Sequence, residues 1–214
     1  MKFLFFVLFI SSLCINAQGN PYFKKEVSDI TERYKTTWNA NRETIIFTGS
    51  SSIRMWGNLQ ELFPNEQIIN TGFGGSQTLD LLGYTNELIL NYLPKKVFIY
   101  EGDNDISSNK KPKEIIKTYN EIISQVKSQN NTTKVVIISA KPSISRYHLK
   151  GKYKRLNKKL NRLCKKDPQL EFANVWDIMF DKRKLKSDLF LSDGLHMNTK
   201  GYELWHEVIK NHMN

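Results

Sequence analysis

Short apolar runs rich in β-branched residues alternate along the chain with longer segments of helical periodicity. The runs are residues 44–48 (TIIFT), 67–70 (QIIN), 97–100 (VFIY), 134–140 (KVVIISA) and, more weakly, 170–175 (LEFANV). Because they are largely continuous rather than alternating, they are typical of strands buried on both faces of a parallel sheet. The pattern therefore predicts about five such strands.

Four segments carry apolar residues at helical spacing, namely residues 78–92, 112–128, 149–164 and 199–212. The third has one apolar stripe opposite a basic face. Strands that alternate with helices predict an α/β fold, in which a parallel sheet is covered by helices on both faces. In such sheets ligands bind beyond the carboxyl ends of the strands, so the chemistry is expected there.

The N-terminus reads MKFLFFVLFISSLCINA, with one lysine before the apolar residues 3–10. This order predicts a signal peptide over residues 1–17, cleaved after Ala17, and export to the periplasm, the cell surface or the medium. A lipoprotein anchored at Cys14 is less favoured because Leu13 is bulky, and a buried N-terminal helix is a third interpretation. The apolar run is too short for a transmembrane span.

The length left after cleavage predicts one domain over residues 18–214, with residues 18–43 forming an arm or helix packed on it. The apolar fraction of 40% excludes a disordered chain. Of the two cysteines, only Cys164 would remain in the mature protein, so a cysteine-based metal site is excluded.

The formal net charge of +11 is concentrated between Arg146 and Lys166, a stretch with ten basic residues and no acid. The remainder is almost neutral, which argues against a uniformly basic nucleic-acid binder. A solvated helix face is the favoured interpretation of residues 146–166, and a surface that binds polyanions or glycans is the alternative.

Polar and glycine-rich blocks follow the first three predicted strands. They are Gly49-Ser50-Ser51-Ser52, Gly72-Phe73-Gly74-Gly75 and Glu101-Gly102-Asp103-Asn104-Asp105, and a fourth block, Asp193-Gly194-Leu195-His196, lies near the C-terminus. A histidine three residues after an aspartate can share a hydrogen bond with it, which fixes the imidazole tautomer. Each block has a structural alternative: a helix N-cap for the serine, and turns for the glycines, the asparagine and the Asp-x-x-His pair.

Taken in order, the four blocks resemble those of the SGNH (GDSL-like) hydrolases, with Ser50 where that family usually has aspartate. The resemblance implies a flavodoxin-like three-layer α/β/α sandwich. It also implies that Ser51 is the nucleophile, with Ser52 as second choice, and that His196 with Asp193 is the base pair. The backbone N–H groups of Ser51 and Gly75 and the amide of Asn104 would then form the oxyanion hole.

The resemblance therefore implies a serine ester hydrolase that needs no metal or organic cofactor. The predicted signal peptide adds export, and together with the lack of an obvious lid insertion it favours small, acetyl-type esters of carbohydrates or lipids as substrates. A lysophospholipase, a thioesterase and a polyanion- or glycan-binding protein are the alternatives. No nucleic-acid partner is expected, and the oligomeric state is not predicted. Trp56 and Phe73 could line a pocket or belong to the core, and the core is favoured.

Overall fold

A computed structural model of the protein describes residues 19–214; the predicted signal peptide, its cleavage site and Cys14 lie outside the described residues. The main sheet is parallel throughout and has the strand order β2-β1-β3-β4-β5. Its strands are β1 (Thr44–Gly49), β2 (Gln67–Gly72), β3 (Lys96–Tyr100), β4 (Lys134–Ile138) and β5 (Leu170–Ala173). This confirms the predicted α/β fold and the number of strands in the main sheet.

Helices cover both faces of the sheet. They are α1 (Lys24–Tyr34), α2 (Ser51–Arg54), α3 (Leu59–Leu62), α4 (Thr78–Gly83), α5 (Thr85–Leu88), α6 (Asp103–Ser107), α7 (Pro112–Gln129), α8 (Lys150–Cys164) and α9 (Thr199–Ile209). Apolar residues of α1, α4, α5, α7 and α8 form one core cluster. Those of α2, α3 and α9 form a second cluster on the opposite face.

Successive residues of each strand belong alternately to the two clusters, because successive side chains of a strand point to opposite faces. In β1, Ile46 belongs to the first cluster, whereas Ile45 and Phe47 belong to the second. The predicted core positions Trp56 and Phe73 are 1% and 0% exposed. Both therefore belong to the core, as the favoured interpretation predicted.

Two predicted elements end earlier than the periodicity suggests. The helix expected over residues 78–92 stops at Gly83 and is followed by α5 and a 3-10 turn, Leu90–Tyr92. Glycine weakens a helix, and the backbone of Tyr84 leaves helical geometry (φ −121°, ψ 18°) while its hydroxyl binds the carbonyl of Asn20 (2.7 Å). The strand expected to reach residue 140 ends at Ile138, because the side chain of Asn157 pairs with the N–H and C=O of Ala140 (both 2.9 Å).

A two-stranded hairpin, β6 (Phe180–Asp181) and β7 (Lys184–Leu185), was not predicted. It follows β5 and lies outside the main sheet. Across residues 19–214, no helix combines the length and the apolar character needed to cross a membrane.

Candidate active site

The turn after β1 requires glycine and presents three consecutive serines. Gly49 has φ +124°, and a Cβ atom there would lie 2.0 Å from the carbonyl oxygen of Tyr100. The N–H of Ser50 donates to that same carbonyl (3.1 Å), and the extended backbone of Ser50 leads into α2, which begins at Ser51. The first N–H groups of a helix have no acceptor within the helix, so the N–H of Ser51 can serve a ligand.

Burial separates the three serines. Ser50 and Ser52 are 1% and 3% exposed, whereas Ser51 is partly exposed. The carbonyl of Ser52 accepts a hydrogen bond from the hydroxyl of Tyr202 on α9 (3.0 Å), which ties α2 to the second core cluster. The hydroxyl oxygen of Ser51 lies 3.0 Å from Nε2 of His196, so the structure joins the serine expected as nucleophile to the histidine expected as base.

The imidazole of His196 is oriented by Asp193. Its Nδ1 lies 2.6 Å from Oδ2 of Asp193, and the other carboxylate oxygen accepts the backbone N–H groups of Leu195 (2.8 Å) and His196 (2.9 Å). These hydrogen bonds, chiefly the one from His196, lower the pKa of Asp193 to about 2. An ionised Asp193 holds the proton on Nδ1 and leaves Nε2 free to accept the proton of the Ser51 hydroxyl.

A buried lysine holds the loop that carries this pair. Lys141 is 2% exposed, and its Nζ donates to the carbonyl of Leu195 (2.6 Å). The N–H groups of Ile144 and Ser145 donate to the carbonyl of Gly194 (2.9 and 3.1 Å). Burial lowers the pKa of Lys141 to about 8. Sequence reasoning missed Lys141, because nothing in a Lys-Pro step after a strand distinguishes it from a surface lysine.

The glycine loop after β2 is anchored by the first helix. Gly75 is exposed with φ +75°, and its N–H has no acceptor among residues 19–214. The preceding N–H, that of Gly74, donates to Oε1 of Glu26 on α1 (3.0 Å), and the same carboxylate pairs with Arg54 on α2 (3.2 Å). Helix α1 therefore fixes the glycine loop relative to the helix that begins at Ser51.

Both polar atoms of the Asn104 side chain are engaged. Its Nδ2 donates one proton to the carbonyl of Ser76 (2.9 Å), and its Oδ1 accepts from Nη1 of Arg146 (2.9 Å). Arg146 also lies 3.5 Å from Oδ2 of Asp103. The second proton on Nδ2 is not used by these contacts and can serve a ligand. Sequence reasoning assigned Arg146 only to the solvated basic face and so missed this contact.

Two buried carboxyl groups brace the same edge of the sheet. Glu101 accepts the hydroxyl of Ser76 (2.6 Å), and burial raises its pKa well above the ordinary value, which favours the neutral acid. Asp105 accepts the N–H and the hydroxyl of Thr78 at the start of α4 (3.0 and 2.7 Å). These acids join the loop that carries Gly75 to the segment that carries Asn104, and sequence reasoning gave them no role.

A cleft lined by both apolar and polar residues adjoins the segments that carry the serine and the histidine. Met55 lies one helical turn after Ser51, and its N–H donates to the Ser51 carbonyl (2.9 Å), while Met197 follows His196 directly. Both residues line a cleft of about 450 Å³. Leu62, Leu191 and Tyr202 add apolar surface to its wall, and Asn58, Asn198, Thr199 and Glu203 add polar groups. An apolar substituent attached to a group bound at Ser51 could occupy this cleft.

The structure thus gathers Asp193, His196 and Ser51 into one hydrogen-bonded chain across 145 positions. Gly75 and Asn104 follow the neighbouring strands at the same sheet edge and are linked through Ser76. Among the described residues, no group of three or more histidine, cysteine, aspartate or glutamate side chains is placed to hold a metal ion.

Comparisons with known proteins point to the same chemistry. The sequence model of the GDSL-like Lipase/Acylhydrolase family matches residues 30–204. A solved structure described as a platelet activating factor from Streptococcus pneumonia is 25% identical, with a TM-score of 0.78, covering 90% of this chain and 95% of the other. No curated protein gives a significant match.

Two more distant structures share the fold. A GDSL-like lipase from Bacteroides thetaiotaomicron is 20% identical (TM-score 0.71), covering 85% of this chain and 96% of the other. A variant of an acetyl-xylooligosaccharide esterase from Geobacillus Stearmophilus is 14% identical (TM-score 0.65), covering 79% and 93%.

Proposed function

As a member of the GDSL-like Lipase/Acylhydrolase family, the chain is a carboxylic ester hydrolase, and we propose that it cleaves small acyl esters of carbohydrates through an acyl-enzyme on Ser51. One observation carries this proposal. The chain of hydrogen bonds from Asp193 through His196 ends at the hydroxyl of Ser51. Of the three serines of the turn, Ser51 alone is partly exposed. A hydroxyl joined to an oriented imidazole is an activated nucleophile.

In the first step His196 Nε2 takes the hydroxyl proton while Ser51 Oγ bonds to the ester carbonyl carbon. The carbonyl oxygen becomes an oxyanion, which the N–H groups of Ser51 and Gly75 and the second proton on Nδ2 of Asn104 stabilise. Loss of one such donor costs roughly 3–4 kcal/mol of barrier. The imidazolium formed on His196 is stabilised by the ionised Asp193.

Collapse of this intermediate breaks the bond to the alcohol oxygen, which receives the proton from His196 and leaves as the free alcohol. Water then attacks the acyl-enzyme and gives its proton to His196. The second oxyanion collapses, the proton returns to Ser51, and the carboxylic acid is released. The cycle regenerates the enzyme and uses only groups of this chain and one water molecule.

Separate observations support two sizes for the acyl group of the substrate. Acetyl esters of sugars are favoured by the shared fold of an acetyl-xylooligosaccharide esterase. The cleft of about 450 Å³ beside Met55 and Met197 favours a second candidate, a longer acyl chain such as that of a lysophospholipid or thioester. The apolar side chains in its wall would shield such a chain from water.

Export is a further part of the proposal. Residues 1–17 have the order of a signal peptide, and extracellular glycans and lipids carry esters of both kinds. On this view residues 18–214 are the mature enzyme and form one catalytic domain. Expression of the full chain in a bacterial host, followed by N-terminal sequencing of the exported protein, tests it: Gln18 is expected as the first residue, and retention of Met1 would contradict export.

Hydrolysis of p-nitrophenyl acetate, butyrate and octanoate, and acetate release from acetylated xylo-oligosaccharides, test the catalytic proposal. Wild type should turn over the acetyl substrates, Ser51→Ala should not, and the neighbouring Ser52→Ala should retain turnover as the matched control. A rise in kcat/KM from acetate to octanoate would favour the second candidate. Full turnover by Ser51→Ala would contradict the mechanism.

A further inference from the structure

A groove rich in cations lies at the carboxyl edge of the sheet, away from the serine. We name it the cationic groove and define it by Lys150, Lys154, Lys182 and Arg183, which line one hollow of about 570 Å³. All four side chains are exposed. None forms an ion pair with a carboxylate among residues 19–214. The groove therefore has an excess of positive charge, since Asp177 is the one carboxylate in the described part of the chain that lines it.

Aromatic side chains lie among these cations. Tyr147 and Phe180 line the same hollow and are partly exposed, whereas Trp176 lines it from the core and is 5% exposed. The Nζ of Lys150 lies 4.3 Å from the centre of the Tyr147 ring, and that of Lys154 lies 6.0 Å from the centre of the Trp176 ring. Contact with an aromatic face restricts a lysine side chain, so less conformational entropy is lost when it binds an anion.

The cationic groove shares a sheet edge with the candidate active site. Helix α8 begins after the carboxyl end of β4, and residues 174–183 follow β5, whereas Ser51 follows β1. Three strand spacings separate β1 from β5 in the sheet order, roughly 14 Å in all. Arg146, which contacts Asn104, directly precedes Tyr147 of the groove. One extended ligand could therefore reach both places.

From these observations we infer that the cationic groove binds an acidic glycan, the alcohol part of the ester that Ser51 cleaves. The claim that Ser51 cleaves an ester of this glycan rests on the proposed function. The claim that the groove binds the glycan does not. Cations attract the carboxylates of the glycan, and aromatic faces pack against the apolar faces of sugar rings. Asp177 also lines the hollow. Its carboxylate can accept the hydroxyls that sugar rings carry and that a DNA backbone lacks, which favours a glycan over DNA.

The hairpin turn gives independent support. Lys182 has φ +53° between β6 and β7, a conformation in which glycine or asparagine is the favoured residue. A lysine there costs stability, and such a cost at a ligand-lining position favours a binding role. Lys182→Gly should therefore stabilise the fold and at the same time weaken glycan binding, a combination that a purely structural role would not produce.

The test titrates the full chain with hexagalacturonate, which carries no ester, by calorimetry at low salt. A neutral hexasaccharide and a single-stranded oligonucleotide of equal charge are the comparison ligands. Lys150→Glu/Lys154→Glu should weaken hexagalacturonate binding on the order of tenfold to a hundredfold. The matched control is Lys159→Glu/Arg162→Glu. It reverses the charge of two exposed basic residues of α8 that line a different hollow, and it changes the net charge by the same amount.

The inference predicts that hexagalacturonate binds more tightly than both comparison ligands, that added salt weakens it, and that only the groove variant loses it. Equal losses in both variants would assign the binding to net charge, and tighter oligonucleotide binding would assign the groove to nucleic acid; either result overturns the inference. Hydrolysis of p-nitrophenyl acetate by the groove variant should equal that of wild type. Binding without any esterase activity in wild type would refute the proposed function and leave the groove assignment standing.

Discussion

The guanidinium of Arg146 donates a hydrogen bond to Oδ1 of Asn104 (2.9 Å), while Nδ2 of Asn104 donates to the carbonyl of Ser76 (2.9 Å). Together these two contacts fix the orientation of the amide. With its oxygen held by a cation, the amide presents its nitrogen toward the glycine loop. Arg146 is therefore a positioning residue for a group that the proposed mechanism uses as an oxyanion donor.

Replacing Arg146 should reduce catalysis through Asn104. Asn104→Ala is expected to lower kcat by about 10²–10³-fold, the usual cost of one oxyanion donor. Arg146→Ala should lower kcat by less than that and leave KM nearly unchanged, because the amide remains but loses its fixed orientation. Arg146→Lys should recover part of the loss, and Arg155→Ala, an exposed arginine of α8, is the control. A change in KM alone would assign Arg146 to substrate binding instead.

The pKa of Asp193 keeps its carboxylate ionised over the pH range of ordinary assays. It is lowered to about 2 from an ordinary 3.8, mainly by the hydrogen bond from His196. The carboxylate thus stays ionised above about pH 2, and its contribution to stability is lost only as the pH falls from about 4 to 2. Any decline of kcat/KM above about pH 4 must therefore come from a group other than Asp193.

Asp193→Asn should therefore lower kcat by up to about 10⁴-fold at neutral pH, because the imidazole loses its tautomer control and the stabilisation of its charged form. Steady-state kinetics from about pH 4 to 9 check both points. A variant that keeps wild-type kcat would remove the Asp193–His196 pair from the mechanism.

Lys141 should make stability rise with pH on the alkaline side. Burial lowers its pKa from 10.5 to about 8. Between these values the unfolded chain holds a proton that the folded chain has released, so deprotonation favours the folded state as the pH increases. Denaturant unfolding of wild type and Lys141→Met at about pH 7 and pH 9.5 tests this. Wild type should gain stability relative to the variant at the higher pH, and a pH-independent difference would refute the shift.

The turn before the serines should not tolerate a side chain. Gly49→Ala would place a methyl group 2.0 Å from the Tyr100 carbonyl oxygen at φ +124°. We expect a loss of more than about 1 kcal/mol in the free energy of unfolding. Gly151→Ala is the control, because a Cβ at that position of α8 meets no atom within 4 Å and alanine favours helix. Thermal unfolding should show a lower melting temperature than wild type for Gly49→Ala and a higher one for Gly151→Ala. Equal stabilities of the two variants would contradict the account of this turn.

Apolar periodicity and turn residues were sufficient to predict the strands of the main sheet and to locate the four polar and glycine-rich blocks. Continuous apolar runs identified all five strands of the main sheet, and the rule that ligands bind at carboxyl strand ends indicated that Ser51 and His196 would lie near each other. The same reasoning failed where one side chain decides the outcome. Asn157 replaces sheet pairing at Ala140, and the break after Gly83 depends on where Tyr84 packs.

The contacts that hold the site residues in place could also not be predicted from the sequence. Arg146 lies in a basic run whose other members are mostly exposed, and Lys141 follows a strand as many surface lysines do. Their contacts with Asn104 and Leu195 join positions 42 and 54 residues apart. No local pattern encodes such pairs, because each depends on how two loops meet after folding. The positive φ of Lys182 is likewise contrary to the preference of its residue type.

The central claim is that Ser51 forms the covalent intermediate. Treatment of the full chain with a fluorophosphonate ester, followed by digestion and mass spectrometry, tests it directly, because such a reagent phosphonylates a serine only when a base removes its proton. The account predicts one adduct, on Ser51, that is absent in Ser51→Ala and strongly slowed in Asp193→Asn. An adduct on Ser52, or an active wild-type enzyme that remains unlabelled and uninhibited, would contradict it.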